Sequence, residues 1–118
     1  MKPVYFVGAA LQDLKALPLE VQRDIGFALY EAQLGGKSFF AKPLHGFGSA
    51  AVLEIIDDFE GDTYRAVYTV KYKSAIFVLH VFQKKSKRGA VTPKRDMELI
   101  RTRLKIAEAI AQSKKVEL

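Results

Sequence analysis

The chain has 118 residues, of which 49% are hydrophobic and 27% charged, a composition typical of one folded domain. It contains no cysteine, which excludes disulfides and thiolate metal sites and agrees with a reducing compartment. The first residues lack the pattern of a signal peptide, and no apolar run reaches the roughly 20 residues that span a bilayer. We therefore expect a cytoplasmic protein with no membrane partner.

The first third of the chain predicts a strand followed by two helices. Val4–Val7 is a short apolar run that Gly8 ends, and a brief helix covers about Ala9–Ala16. Pro18 suits the first turn of a second helix, which Gly35-Gly36 ends. The apolar residues of that helix recur at helical spacing: Val21, Ile25, Ala28, Leu29 and Ala32. This pattern predicts a helical hairpin over residues 9–34.

Three strands are predicted after a connector over residues 37–50. The first is Val52–Asp57, and the acidic stretch 58–62 turns the chain. Thr63–Tyr72 alternates, which is typical of a strand with two different faces, and Ala75–Gln83 is nearly all apolar, which indicates burial on both faces. In the alternating strand, Tyr64, Tyr68 and Tyr72 share the face that we expect to form core; Arg65, Lys71 and Lys73 share the other.

A final helix is predicted to start at Thr92-Pro93. One apolar stripe runs along it: Met97, Ile100, Leu104, Ala107 and Ala111. The predicted order is β-α-α-β-β-β-α in one domain over residues 1–112, with 113–118 as a frayed tail. This is an α+β fold with a small, mainly antiparallel sheet. We expect the helices to cover one face of the sheet and to leave the other open for positive charge.

Positive charge is concentrated in one part of the chain. Between Tyr64 and Arg95 there are nine basic residues and no acidic residue. The rest of the chain holds 19 − 9 = 10 basic and all 13 acidic residues, a net charge of −3, whereas the whole chain carries +6. Such segregation predicts a polyanionic partner, most simply a nucleic acid.

Several motifs, in order, resemble the toxins of the RelE/ParE superfamily. They are Lys42-Pro43-Leu44-His45-Gly46 with Val52-Leu53-Glu54-Ile55, Tyr64-Arg65-Ala66-Val67-Tyr68, Val78-Leu79-His80-Val81-Phe82-Gln83-Lys84-Lys85-Ser86, and Thr92-Pro93 ahead of a helix. The resemblance covers about residues 3–111 and is closest to the HigB-type, phage-derived branch. It implies a RelE-like fold and the toxin of a type II toxin–antitoxin system.

The same resemblance implies a ribosome-dependent endoribonuclease that cleaves mRNA without a metal or other cofactor and so inhibits translation. Its implied partners are the ribosome, mRNA and a cognate antitoxin of helix-turn-helix type. Some members of the superfamily instead poison DNA gyrase, and the basic segment also agrees with a non-catalytic nucleic-acid-binding domain. Fold alone does not decide between these alternatives.

Metal-independent RNA cleavage requires cations that stabilise charge on the phosphate and groups that move protons. Arg65 is the first candidate, because the corresponding arginine of the family contacts phosphate and a guanidinium can hold phosphate with two hydrogen bonds. The alternative is an ordinary cross-strand pair with Glu54. The predicted catalytic residues are Arg65, Lys84, Lys85 and His45. The predicted RNA-binding residues are Lys42, Lys71, Lys73, Lys87 and Arg88.

The sequence has two histidines that could transfer protons. His45 lies in an accessible loop, whereas His80 lies within the most apolar strand and is better explained as a buried, hydrogen-bonded side chain. No tyrosine follows Pro93, so a tyrosine acid or base at the C-terminal end of the family has no counterpart. The acidic residues 57–62 favour a solvated turn over a metal site.

Overall fold

The computed structural model describes residues 1–84 and 92–116, with side chains described as far as residue 113. Within these ranges, three helices pack on one five-stranded mixed sheet, which confirms the predicted α+β class and RelE-like layout. The elements are β1 (Val4–Phe6), α1 (Ala10–Lys15), α2 (Leu19–Gln33), β2 (Ala41–Pro43), β3 (Val52–Phe59), β4 (Asp62–Thr69), β5 (Ile76–Lys84) and α3 (Lys94–Val116). No helix in the described ranges has the length and apolarity that crossing a membrane requires.

The strands lie in the order β1-β5-β4-β3-β2. β1 is an edge strand parallel to β5, and the other neighbours are antiparallel, so the sheet is mainly antiparallel as expected. β2 was not predicted; it falls in the segment interpreted as a connector. Three residues are too few for a visible alternation, and their pairing with β3 places Lys42 directly opposite Glu54.

Both faces of the sheet are covered, which corrects the expectation of one open face. The face that contains Ile55, Tyr68 and Val78 packs against α1 and α2, and we call it the hairpin face. The opposite face, the α3 face, places Val67 and Leu79 against the apolar stripe of α3. The stripe itself was predicted correctly; what the sequence did not indicate is that α3 crosses to the other side of the sheet from the hairpin.

β4 is shorter than predicted, and this changes the position of Tyr72. The strand ends at Thr69, whose hydroxyl accepts a hydrogen bond from the Lys71 amide at 3.2 Å. Beyond that point the alternation no longer applies. Tyr64 and Tyr68 are buried on the hairpin face as expected, but Tyr72 packs edge to face with Phe77 on the α3 face. The prediction that the three tyrosines share one face was therefore wrong for Tyr72.

A β-bulge in β5 determines which side chains reach the α3 face. Val67 lies opposite His80 and Tyr68 opposite Val78, so Leu79 is an extra residue without its own partner in β4. Leu79 packs on the α3 face, Val81 on the hairpin face and Phe82 on the α3 face again. Arg103 of α3 donates a hydrogen bond to the Leu79 carbonyl at 3.0 Å. After the bulge, each side chain of β5 points to the opposite face from the one that simple alternation gives. Lys84 therefore shares the α3 face with Arg65.

Candidate functional site

A buried ion pair lies on the α3 face, beyond the part that α3 covers with its apolar stripe. Arg65 Nη1 donates to Glu54 Oε2 at 2.8 Å, and the two residues are only 4% and 1% exposed. They are diagonal neighbours on adjacent strands, since Glu54 lies opposite Val67 and Arg65 opposite Ile56. The cross-strand pair that was the alternative for Arg65 therefore exists. It holds the guanidinium in one place, because a buried charge is stable only when it is paired.

The same carboxylate also binds the segment that leads into α3. The Thr92 hydroxyl donates to Glu54 Oε2 at 3.2 Å, and Thr92 is buried. One oxygen of Glu54 thus accepts hydrogen bonds from β4 and from the residue two positions before α3. Glu54 thereby joins the position of Arg65 to the start of the helix.

Two lysines complete a group of cations around Glu54. Lys42 lies directly opposite Glu54 on β2, and Lys84 lies opposite Thr63, two residues along β5 from the partner of Arg65. Burial, together with the positive charge of Arg65, lowers the pKa of Lys84, while Glu54 opposes this shift. We call Lys42, Arg65 and Lys84 the cation cluster. Three cations share one carboxylate here, so the cluster carries an excess of positive charge.

A groove of about 930 Å³ adjoins the cation cluster between the end of β5 and the first turns of α3. Lys84 and Phe82 line it on the strand side, and Arg95, Asp96 and Leu99 line it on the helix side. The Phe82 ring stacks on the His80 ring, with centroids 4.5 Å apart and planes 14° from parallel. An aromatic ring beside fixed cations can receive a nucleotide base and its phosphate.

His80 is buried and hydrogen-bonded, as the sequence indicated. Its Nε2 lies 2.7 Å from Asp96 Oδ1 in the first turn of α3, and its Nδ1 is buried with no hydrogen-bond partner among the described residues. One ring nitrogen is therefore bonded to Asp96 and the other is buried, although part of the ring lines the groove. His80 thereby fixes α3 to β5.

The other predicted site residues lie outside this group or beyond what the structure describes. His45 is exposed in the loop between β2 and β3; in that loop Phe47 lies under the Arg101 guanidinium of α3. Lys71 and Lys73 follow the end of β4 and line a pocket with Glu108, at the end of the sheet opposite Lys84. Three predicted residues fall outside the described ranges: Lys85, Lys87 and Arg88.

Sequence reasoning missed parts of the site that depend on tertiary contacts. Neither Thr92 nor Asp96 carries a signal that pairs it with Glu54 or His80, because 38 and 16 residues separate the partners. Within residues 1–84 and 92–116, no group of three or more histidine, aspartate or glutamate side chains is arranged to hold a metal ion.

Comparison with known proteins identifies a family to which the chain is similar. Residues 12–105 match the model of the family described as phage-derived protein Gp49-like (DUF891). No curated protein matches the sequence significantly. The family is related to the RelE-like toxins of toxin–antitoxin systems, and its model spans α1 to α3, including the whole cation cluster. The chain belongs to the Gp49-like family of phage-derived, toxin–antitoxin-related proteins.

Proposed function

We propose that the chain is a HigB-type toxin that cleaves mRNA on the ribosome by metal-independent phosphodiester transfer. The observation that carries this proposal is the cation cluster: Lys42, Arg65 and Lys84 meet around one carboxylate beside a groove that Phe82 lines. The family association with toxins and a cognate antitoxin supports the biological setting. The ribosome, mRNA and the reaction itself are parts of the proposal.

The proposed reaction needs an attacking oxygen that the RNA itself supplies. The 2′-hydroxyl loses its proton and attacks the adjacent phosphorus in line, while the bond to the 5′-oxygen breaks and that oxygen takes up a proton. The products are a 2′,3′-cyclic phosphate and a 5′-hydroxyl. Negative charge grows on the phosphate oxygens as the bonds change, so fixed cations at that position accelerate the step.

Arg65 supplies the most rigid of these charges. Its ion pair with Glu54 fixes the guanidinium before the substrate arrives, and its burial excludes water that would screen the charge. Lys42 is exposed on β2, the neighbour of the strand that carries Glu54, and supplies a flexible contact to the RNA backbone. The division of roles follows from exposure: the buried cation acts by its field and the exposed cation acts by contact.

Lys84 is the proposed proton donor to the leaving oxygen. Burial and the neighbouring Arg65 charge lower its pKa, so its ammonium gives up a proton more readily than that of an exposed lysine. Removal of the proton from the 2′-hydroxyl is proposed for His45 or Lys85, the two other residues that the sequence predicts to be catalytic without assigning the general base. Lys71, Lys73, Lys87 and Arg88 are proposed to bind the RNA backbone away from the reacting bond.

The test is an in vitro translation extract programmed with a defined mRNA. We expect wild-type protein to cut the message within codons and to leave 5′-hydroxyl ends, which a polynucleotide kinase can label directly. Arg65→Ala is expected to slow cleavage by about 100-fold, the usual effect of removing one charge-stabilising group. Arg65→Lys should recover only part of the rate, because a flexible ammonium keeps the charge but Glu54 does not hold it in one place as it holds the planar guanidinium.

The matched control is Arg23→Ala, since Arg23 is exposed on α2 and far from the cation cluster in the fold. It should cleave like wild type. Cleavage products with 5′-phosphate ends would contradict the proposed transfer. Intact message with loss of DNA supercoiling would support a gyrase-directed toxin, and stalled translation with intact message would support a binding protein without catalysis.

A further inference from the structure

An exposed aromatic surface lies beside α2, the helix that packs on the hairpin face of the sheet. Phe39 and Phe27 are 93% and 71% exposed, and Phe40 also projects from the loop between α2 and β2. The rings of Phe39 and Phe40 meet edge to face at 5.6 Å. A single exposed apolar side chain is common on a protein surface, but three exposed aromatic rings together are typical of a surface that binds another protein.

These rings border a groove of about 360 Å³ between α2 and the edge of β3. We call it the α2 groove and define it by Asp24, Phe27, Glu31, Phe39, Phe40 and Asp57. The carboxylates of Asp24, Glu31 and Asp57 lie among the aromatic rings, and no lysine or arginine of the described ranges lines the groove. An acidic groove in a chain of net charge +6 excludes nucleic acid and anionic lipid as occupants.

One of these carboxyl groups, that of Asp57, lies beside a second acidic side chain. The side chain of Asp57 is hydrogen-bonded to Asp24, and its Oδ2 is buried with no hydrogen-bond partner in the described structure. Burial, with the Asp24 interaction, raises the pKa of Asp57 to about 7. A guanidinium or ammonium group that entered the groove would stabilise the ionised form of these carboxyl groups and donate hydrogen bonds to them.

From these features we propose that the α2 groove is the docking surface for the cognate antitoxin, through a segment that inserts an arginine or lysine between apolar side chains. Charge complementarity selects this occupant, because the aromatic rings require apolar contact and the carboxylates require a cation. The partner thereby binds on the hairpin side of the sheet and leaves the cation cluster on the opposite side uncovered. This inference depends on the toxin–antitoxin family and not on the proposed ribonuclease reaction.

The test measures binding separately from toxicity. The probe is the purified product of the reading frame next to the gene of this chain. We expect the double variant Phe27→Ser/Phe39→Ser to bind it at least about thirtyfold more weakly, the loss typical of removing a central aromatic contact. Asp24→Lys should weaken binding as well, because it reverses one charge of the groove without removing an apolar contact.

Two controls match these variants in chemistry and exposure. Leu19→Ser removes an exposed apolar side chain of α2 outside the groove, and Glu60→Lys reverses an exposed charge in the turn between β3 and β4. Both should bind like wild type. In cells, the groove variants should remain toxic and escape rescue by the partner, so a failed nuclease assay and a failed docking assay are distinguishable.

Hydrogen exchange of the purified complex locates the contact directly. Protection of α2 and the segment 38–40 supports the proposal, whereas protection confined to β5 and the start of α3 overturns it. Undiminished binding by the groove variants overturns it too, as does a neighbouring product that fails to bind wild-type chain. If the chain alone sediments as a dimer that Phe39→Ser separates, the groove is an interface between two copies and the proposal is wrong.

Discussion

Two carboxylates on β3, three residues apart, have opposite surroundings. Glu54 points to the α3 face, where it accepts hydrogen bonds from Arg65 and Thr92 and has Lys42 and Lys84 nearby. Asp57 points to the hairpin side, where its nearest charged neighbours are acidic: Asp24 and Asp58. The same strand therefore presents an excess of positive charge on one face and an excess of negative charge on the other.

The difference shows that net charge describes this molecule poorly. A value of +6 suggests one basic surface, but the chain separates its charge by face and offers two surfaces of opposite sign. A basic surface suits an anionic polymer, and the acidic, aromatic α2 groove suits a polypeptide. Separating the two surfaces allows a toxin to be bound by a partner without competition from its substrate.

The largest expected effect comes from breaking the ion pair on the basic side. Glu54→Gln removes the negative charge and leaves Arg65 buried beside Lys84 without compensation. We expect the free energy of unfolding to fall by about 4 kcal/mol, in the range known for broken buried pairs. Urea denaturation monitored by circular dichroism measures this change.

A paired substitution distinguishes the charge from the packing. In Glu54→Leu/Arg65→Met both charges are gone, and the double variant should recover most of the lost stability, since apolar side chains of similar size often replace buried pairs without cost. Glu60→Gln is the exposed control and should change the free energy of unfolding by no more than about 0.5 kcal/mol. If Glu54→Gln is as stable as this control, the ion pair does not hold the α3 face together.

How much of the two surfaces was predictable depends on how local their determinants are. The helical hairpin, the apolar stripe of α3 and the alternation of β4 as far as Thr69 follow from periodicity, and the structure confirms them. The face of Lys84 does not follow: counting alternate residues from Ile76 sends Lys84 to the hairpin face. The bulge at Leu79 reverses this, and a bulge stabilised by Arg103, 24 residues away, leaves no local signal.

The aromatic groove escaped sequence reasoning for a different reason. Phe39 and Phe40 lie in a segment interpreted as a connector, and Phe27 lies on a helix that already has a complete apolar stripe. Nothing local distinguishes an exposed phenylalanine from a buried one. Likewise, the sequence predicted Asp57 as the last residue of a strand, but it did not indicate that this carboxyl group faces Asp24 of α2.

The second expected effect concerns the acidic side and depends on pH. The pKa of Asp57 is raised from 3.8 to about 7, so the folded protein holds a proton that the unfolded chain releases. The stabilising contribution of this proton is complete below pH 4 and is lost as pH rises towards 7. Asp57→Asn mimics the protonated form, so it should stabilise the protein by about 2 kcal/mol at pH 8 and have little effect at pH 4.

Thermal unfolding of wild type and Asp57→Asn across this pH range measures the effect. Glu60→Gln is the matched control; Glu60 is exposed in the turn after β3 and is not among the groups that raise the pKa of Asp57. The curve of the control should remain parallel to that of wild type. A stability gain for Asp57→Asn that is equal at pH 4 and pH 8 would show that ionisation of the Asp57 carboxyl group is not its cause.

The smallest expected effect comes from relieving the positive excess on the basic side. Burial and Arg65 lower the pKa of Lys84, so the folded protein binds this proton less tightly than the unfolded chain. The resulting loss of folding stability is complete at pH values below the lowered pKa and disappears as pH rises beyond the ordinary value of 10.5.

Lys84→Met keeps the length of the side chain without the charge, and we expect it to raise the free energy of unfolding at pH 7 by about 1 kcal/mol while it reduces RNA cleavage. Urea titrations at pH 7 and pH 10 measure the gain, which should shrink at the higher pH; Lys15→Met, at an exposed position at the end of α1, should show no such dependence. A variant that gains stability as it loses activity would identify Lys84 as a charge kept for function. Destabilisation at pH 7 would instead mean that the attraction of Glu54 for the Lys84 ammonium exceeds the cost of burial and the repulsion from Arg65.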